Sequence, residues 1–347
     1  VFQGKHGEPA MRTLLLTACA VSSILAGATP AIAADVSPPA VRMQEAGARL
    51  KALYEAETDA GMARYGIVKR ADGEYSPAVR HESVDPASQQ ERLTYVRGLL
   101  RQLDAIPLDD LSAEDRINAA VFRTNLEHAL IDGQFRQWEM PFNSDSSFWT
   151  YLDQPGALRT AEEYRAYIAR MRDTPRYFDQ HLANMRDGLA RGFSVPRVTL
   201  EGREASITNF ITDTAEANAF YAAFRQMPAT IPADEQVRLR AEAAAAVNEA
   251  VIPAYKTLLA FYLNEYQPRA RTALAARDMP DGVAYYESQV RKYTTLELSG
   301  EEIHQIGLSE VARIQAEMRQ TMADAGFQGS FDEFLHFLRT DPQFYAK

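Results

Sequence analysis

The sequence predicts an all-α protein, because helix-start signals recur along the chain while strand patterns are nearly absent. Three of these signals pair a serine or threonine with a glutamate three residues later, the pattern of a capping box: Thr160 with Glu163, Ser299 with Glu302, and Ser330 with Glu333. Apolar residues follow at spacings of three and four, as on the buried face of a helix. We predict an array of roughly ten or more helices.

The first helices are marked by their N-terminal residues. Asp85 is followed by Pro86, which is favoured at the first helical position, and an apolar face then continues to Leu103. Ser112 is predicted to cap a second helix that extends to Gly133. Two successive helices are therefore expected in this stretch.

Prolines are expected to interrupt the middle of the chain. A helix starting at Thr160 should give way to a new one at Pro175, which Gly192 then ends. An alanine-rich helix from about Ala233 reaches Pro253, which should kink or break it. Each proline removes a backbone donor, and this is the reason for both expectations.

The clearest helix start is Ser299, because Leu298 and Ile303 also occupy the two positions of a hydrophobic staple. Five apolar residues are predicted to form the buried face of this helix: Ile303, Val311, Ile314, Met318 and Met322. A turn from Gly326 to Gly329 separates it from the last helix, which Ser330 caps.

Two segments depart from helical patterning. Val195 to Leu200 has the composition of a short extended piece. Gly133 to Gly156 is the longest irregular stretch, and several aromatic residues crowd it: Phe142, Phe148, Trp149 and Tyr151. Long irregular segments in compact helical domains are often functional, although packing in the core is the default role of such rings.

The N-terminus has the organisation of an exported protein. Residues 1–10 are interpreted as upstream or vector-derived sequence, because the first methionine is Met11. Residues 11–33 have the order of a signal peptide: a basic residue, an apolar run and a small-residue cleavage site. A lipoprotein signal ending at Cys19 is the minor alternative. Residues 34–347 would then be a helical, periplasmic or extracellular portion.

Composition excludes some classes of partner. The net charge of −10 over 347 residues argues against nucleic-acid binding, which needs a basic face. The apolar run near the N-terminus is too short for a stable membrane span, which needs about 20 apolar residues. Cys19 is the single cysteine, so the predicted mature chain must be held together by burial without disulfides.

No metal site is predicted from the two metal-like patterns in the sequence. His81 and Asp85 imitate part of a zinc-binding helix, but a residue before proline avoids the α region, so Asp85 is better placed as a cap. Two Glu-x-x-His pairs resemble half of a di-iron site: Glu301 with His304, and Glu333 with His336. If their helices fold back at the turn, the pairs would lie about 24 Å apart, against about 4 Å between metals in such a site.

Other candidate functional residues are two histidines and one tyrosine. His128 and His181 lie on or beside apolar helical faces and are predicted to be hydrogen-bonded core or boundary residues. Tyr285 and Tyr286 are adjacent, so they point about 100° apart on a helix. Because Tyr286 shares a face with Val283 and Val290, Tyr285 is predicted to be the freer ring and to face a cleft, with core packing as the default role of both rings.

Several segments together resemble the bacterial domain-of-unknown-function 885 family: Met279 to Tyr286, Tyr293 to Val311, Gly192 to Arg197, and Phe334 to Phe344. The resemblance extends over nearly the whole predicted mature chain. It implies an exported or lipid-anchored helical protein that looks like a zinc metallopeptidase.

Complete members of that family carry a His-Glu-x-x-Pro-Gly-His motif and a later Glu-Gly-Trp segment, and this sequence contains neither. The resemblance therefore implies the N-terminal half of a larger helical fold, with no catalytic or metal residue in this chain. Zinc is expected in the complete protein, the missing C-terminal half is the expected partner, and a peptide is the expected substrate. The candidate substrate-binding residues of this half are Arg197, able to clamp a carboxylate, and Tyr285.

Two functions follow from different classes. The first is the metal-free portion of an exported, zinc-dependent, peptidase-like hydrolase, inactive by itself, so whether this chain counts as an enzyme stays open. The alternative is a non-catalytic periplasmic helical module for binding or interaction. In the first case the isolated chain should expose an apolar face and tend to associate.

Overall fold

The computed structural model describes residues 38–143 and 146–345. The predicted signal peptide, its cleavage site and Cys19 lie outside the described residues. The prediction of an all-α fold is confirmed, since helices dominate the described chain. Their bounds are α1 (Pro39–Arg64), α2 (Pro86–Asp104), α3 (Ala113–Gln134), α4 (Ala161–Arg191), α5 (Ala205–Thr208), α6 (Ala222–Arg225), α7 (Ala233–Ala246), α8 (Ile252–Phe261), α9 (Gln267–Arg269), α10 (Gly282–Thr294), α11 (Gly300–Asp324) and α12 (Phe331–Thr340).

The predicted caps are confirmed. The Asp85 carboxylate accepts hydrogen bonds from the backbone N–H groups of Ala87 and Ser88, which starts α2. Ser112 caps α3. All three predicted capping boxes are present, at the starts of α4, α11 and α12. Short-range sequence patterns predict these starts because a cap satisfies backbone donors within its own first turn.

The predicted break at Pro175 is wrong, because this proline lies inside α4, a single helix of 31 residues. Buried side chains lie on one face both before and after the proline, including Tyr167, Met171, Phe178 and Leu182. Burial of these four side chains contributes roughly 1.5–3 kcal/mol each. That outweighs a proline penalty of about 3 kcal/mol in a helix interior.

Near Pro253 the chain changes its helical geometry. The α7 helix ends at Ala246, a π-helical segment covers Val247–Val251, and Pro253 lies in the first turn of α8. Pro253 thus lies inside a continuous helical run, and the π-helical segment just before it replaces the regular α-helical hydrogen-bond pattern there. The chain therefore remains helical and continues into a second π-helical segment, Tyr262–Tyr266.

Two short strands were not predicted. β1 (Ile67–Lys69) pairs antiparallel with β2 (Tyr75–Pro77), with Val68 opposite Ser76. Three-residue strands are too short to show an alternating pattern, so only the structure reveals them. Conversely, the extended piece predicted within Val195 to Leu200 is wrong, since Arg197–Leu200 forms a 3-10 turn.

The core formed by the described residues is divided into three clusters. The largest surrounds α4, α7 and α8 and is rich in aromatic rings. A second holds α1, α2 and α3 together. The third is small and lies beside α10: Phe135, Phe193, Met279 and Tyr285. The third cluster joins Phe135, at the end of α3, to Tyr285 on α10.

The buried face predicted for α11 is wrong, because none of its 25 residues is buried. Val311 is 53% exposed, Ile314 44% and Met318 37%. The main packing contacts of α11 are with α10 and α12, so it extends away from the three clusters. The sequence of α11 is amphipathic, but no surface in the described chain covers its apolar face. In the described part of the chain, no helix is long and apolar enough to cross a membrane.

Candidate functional site

An open cavity of about 1110 Å³ lies where α2, α3, α4 and α10 meet the irregular segment that follows α3. Rings, amide side chains and charged groups all line it. The aromatic contributors are Trp138, Phe142, Tyr285 and Tyr293, and the amide contributors are Gln89, Asn125, Gln137, Asn143 and Gln289. A concave surface of this size and mixed lining is the default candidate for a ligand site.

Close helix packing shapes one wall of the cavity. Gly133 on α3 lies against Leu93 on α2, and a Cβ at position 133 would lie 2.3 Å from a methyl group of that leucine. Lys292 on α10 forms an ion pair with Asp132, with Nζ to Oδ distances of 2.9 and 2.7 Å. A larger residue at 133 would therefore force the Leu93 side chain to move, while the ion pair holds α10 beside α3.

The irregular segment is anchored to the main core by Trp149. Its ring is fully buried, and Nε1 donates a hydrogen bond to Ser206 Oγ at 3.1 Å. The Tyr255 hydroxyl donates to the Trp149 carbonyl at 2.5 Å. Phe142 packs against Trp149 with ring centroids 5.4 Å apart and also lines the cavity. The default role of these rings as core residues therefore holds for Trp149, while Phe142 serves both core and cavity.

Charged groups of both signs reach the cavity. Arg203 donates to the Asn143 carbonyl and lies 5.9 Å from the centre of the Phe142 ring. Glu82 and Arg92 also line the cavity, and neither forms a salt bridge within the described residues. Burial raises the pKa of Glu82, since a partly desolvated carboxylate is less stable than the neutral acid. The cavity thus offers groups for polar ligands, without a strong excess of one charge.

His181 lines the cavity, and it shares its contact with Tyr177 with a second histidine, His81. His181 stacks on Phe148 with ring centroids 4.0 Å apart and contacts Tyr177 edge-on at 4.6 Å. His81 stacks on the other side of Tyr177 at 4.6 Å. Burial lowers the pKa of both imidazoles to about 3, with a further contribution from Arg170 at His81. Both rings are therefore neutral at physiological pH.

His181 does not have the hydrogen bonds expected of a core histidine. It is 6% exposed, yet neither ring nitrogen has a hydrogen-bond partner among the described residues. This part of the prediction is wrong. His128 lies half-buried on α3, and it lines the same cavity.

Tyr285 lines the cavity, although the reasoning that selected it is wrong. The structure buries Tyr285 and exposes Tyr286 and Val283, so Tyr286 is the freer ring, and only Val290 of the predicted packed face is buried. Tyr285 packs edge-on against Phe135 at 5.4 Å and Phe193 at 5.6 Å. Burial raises the pKa of its phenol, which stays protonated and can donate a hydrogen bond. Its role in substrate binding stays a prediction.

Arg197 lies outside the lining of the cavity and is exposed. Its Nη2 donates to the carbonyls of Pro268 and Ala270, and its backbone N–H donates to the Arg271 carbonyl at 2.7 Å. These bonds join the 3-10 turn to the end of α9. Pro196 and Thr199, on either side of it, do line the cavity, so Arg197 lies at its rim. A carboxylate clamp at this position stays a prediction.

The histidines and acids of the metal-like patterns have other partners in the fold. Asp85 caps α2, and Glu333 accepts hydrogen bonds from the backbone and hydroxyl of Ser330 at the start of α12. His304 and His336 are exposed on different helices. Within residues 38–143 and 146–345, no group of three or more His, Cys, Asp or Glu side chains could hold a metal ion. These residues therefore do not fit a zinc site.

Sequence reasoning missed most of the cavity. The missed residues come from separate parts of the chain, up to 210 positions apart, and share no motif: Glu82, Arg92, Gln137, Arg203 and Lys292. The one usable signal was the long irregular segment, which contributes residues from Gln137 to Ser146. The rest of the site depends on how α3, α4 and α10 pack, which local patterns do not encode.

Comparison with known families shows to which family the chain belongs. The model of a family described as a bacterial protein of unknown function, DUF885, matches residues 71–347. The chain belongs to this family. No curated protein matches its sequence significantly.

A solved structure supports the same fold. The crystal structure of the putative lipoprotein from Colwellia psychrerythraea is similar to this chain, with a TM-score of 0.70 and 20% sequence identity. The similarity covers 88% of this chain and 55% of that one, so this chain spans about half the length of its structural relative. At this identity the comparison establishes a shared helical fold.

Proposed function

We propose that this chain forms the metal-free part of an exported, zinc-dependent, peptidase-like hydrolase, and that its cavity is the substrate side of the cleft. Membership of the DUF885 family supports the proposal, because the sequence segments that resemble this family imply a protein that looks like a zinc metallopeptidase. The observation that carries it is the uncovered apolar face of α11.

The α11 helix has 25 residues and buries none of them, although Val311, Ile314 and Met318 follow one face at helical spacing. Helices in proteins gain most of their stability from packing an amphipathic face. A face of this kind without a cover therefore indicates a surface that packs against something else. The apolar face of α11 is defined here by these three residues.

We assign this face to a second part of the same protein. The structural relative is nearly twice as long as the stretch that matches this chain, which supports a further helical half as the occupant. The α11 helix contacts α10, and α10 contributes residues to the cavity, so we place a segment packed on α11 near the cavity. In this arrangement the second half would supply the zinc and the catalytic groups.

The cavity itself supports a role in binding a peptide. Tyr285 can donate a hydrogen bond from the inner wall, and Arg197 at the rim is the proposed partner of a substrate carboxylate. Trp138 and Tyr293 add aromatic surface, which is common where extended ligands bind. No step of hydrolysis is assigned to the residues of this chain.

The test compares two purified proteins: this chain, and the protein expressed from its complete coding sequence. We expect about one equivalent of tightly bound zinc, and hydrolysis of a peptide mixture followed by mass spectrometry, only in the second protein. One equivalent of zinc in this chain alone would contradict the proposal. A complete protein without zinc or hydrolysis would favour the non-catalytic periplasmic binding module instead.

A further inference from the structure

His181 is a buried polar residue without protein partners that lines the cavity. It is 6% exposed, and within the described chain neither Nδ1 nor Nε2 makes a hydrogen bond. A neutral imidazole carries one donor and one acceptor, and leaving such groups unsatisfied in a protein interior destabilises the fold. Buried groups of this kind are uncommon, and they are retained where a ligand or ordered water completes them.

Two other side chains each have one buried oxygen without a hydrogen-bond partner among the described residues, and of these two Gln137 lines the cavity. Asn184 lies one helical turn after His181 on α4, and its Nδ2 donates to the Val84 carbonyl at 2.6 Å. That bond fixes the amide orientation, so Oδ1 is an acceptor, and it has no partner among the described residues. Gln137 lines the same cavity, and its buried Oε1 also lacks a partner there. The unmet hydrogen bonds are therefore mostly those of acceptors.

The rings in direct contact with His181 are uncharged. Phe148 covers one face of the imidazole at 4.0 Å, and Tyr177 closes its edge at 4.6 Å. His81, on the far side of Tyr177, is neutral as well. An ion placed here would lose its hydration without meeting an opposite charge, so a charged ligand group is disfavoured.

We propose that the inner end of the cavity is a binding site for an uncharged ligand group that carries an N–H or O–H donor, and that His181 anchors this group. Amides and sugar hydroxyls share this chemistry, because both can donate to a side-chain oxygen and accept from an imidazole N–H. The stacked ring of Phe148 holds the imidazole in one orientation.

This inference rests on the proposed function only in treating the cavity as a ligand site. It does not depend on zinc or on hydrolysis. The complete protein could bind zinc without a ligand at His181, or bind a ligand at His181 without zinc, so the two proposals can fail independently. Ordered water is the competing occupant, since water can satisfy the same atoms.

The test uses the protein expressed from its complete coding sequence with isotope-labelled histidine. The signals of His181 are assigned as those lost in His181→Phe, a variant that keeps an aromatic ring on Phe148. The probes are acetyl-dialanine amide, cellobiose, and acetyl-dialanine with a free carboxylate. We expect an uncharged probe to shift the His181 signals, and His181→Phe to weaken its binding by about tenfold or more.

The same variant has an expected effect on stability. His181→Phe should raise the midpoint temperature of thermal unfolding, because it removes buried nitrogens that have no hydrogen-bond partner. Such a gain is typical where a residue serves binding at the expense of stability. His336→Phe, at an exposed position on α12, is the matched control and should change neither binding nor the His181 signals.

Three results would overturn the proposal. The first is that no uncharged probe moves the His181 signals in the unsubstituted protein, a measurement that does not depend on any variant folding. The second is equal probe binding by His181→Phe, which would indicate ordered water only. The third is tighter binding of the free carboxylate than of the amide.

Discussion

The folded chain should lose on the order of 4 kcal/mol of stability through His181 alone as the pH falls from 6.5 to about 3. The pKa of the folded imidazole is lowered from 6.5 to about 3 by burial, so the unfolded state binds the proton first. Stability is therefore fully present above pH 6.5 and declines as the pH falls towards 3. His81 titrates in the same window, where Arg170 opposes its charge and Asp173 favours it.

Urea unfolding at several values between pH 7 and pH 5 measures this effect. Above pH 5 the lowered pKa values of Asp85 and Asp173 do not contribute, because their stabilisation is lost only below about 3.8. The raised pKa of Glu82 acts in the opposite direction and reduces the slope. His181→Phe should remove about half of the pH dependence, and His336→Phe none. A free energy of unfolding that is flat over this range would show that the imidazoles are not buried as described.

Replacing Trp149 by alanine should destabilise the fold by about 3–5 kcal/mol. The ring is fully buried among Phe142, Phe148 and Tyr262, and its Nε1 hydrogen bond to Ser206 would also be lost. Since this ring anchors the irregular segment, its removal should loosen the wall that carries Gln137 and Phe142. Chemical denaturation measures the stability, and the His181 signals report on the cavity.

Tyr151→Ala is the control for this substitution. Tyr151 lies two residues away in the same segment but is exposed, so its removal should change stability by about 0.5 kcal/mol or less. Equal effects of the two substitutions would mean that the segment is not anchored through Trp149.

The parts of the fold that the sequence predicted are those set by local chemistry. Asp85, Thr160 and Ser299 were identified as caps because each satisfies N–H groups within one turn of its own position. Gly192 was identified as the end of α4 because a left-handed backbone favours glycine, and its φ is 81°. Such signals need no knowledge of distant residues.

The parts that were missed depend on distant packing. Pro175 does not end α4, because core contacts on both sides of it outweigh its local penalty. The pattern of α11 predicts a buried face, yet a pattern cannot say which surface covers it. Likewise, the histidine on α4 has the spacing of a core residue, and only the fold shows that His181 reaches a cavity without partners.

The central claim is that a second part of the same protein covers the apolar face of α11 and completes the cleft. Hydrogen exchange of the α11 amides, followed in this chain alone and in the protein from the complete coding sequence, tests it most directly. We predict fast exchange along α11 in the chain alone and strong protection in the complete protein. Equal exchange rates in the two proteins would contradict the claim.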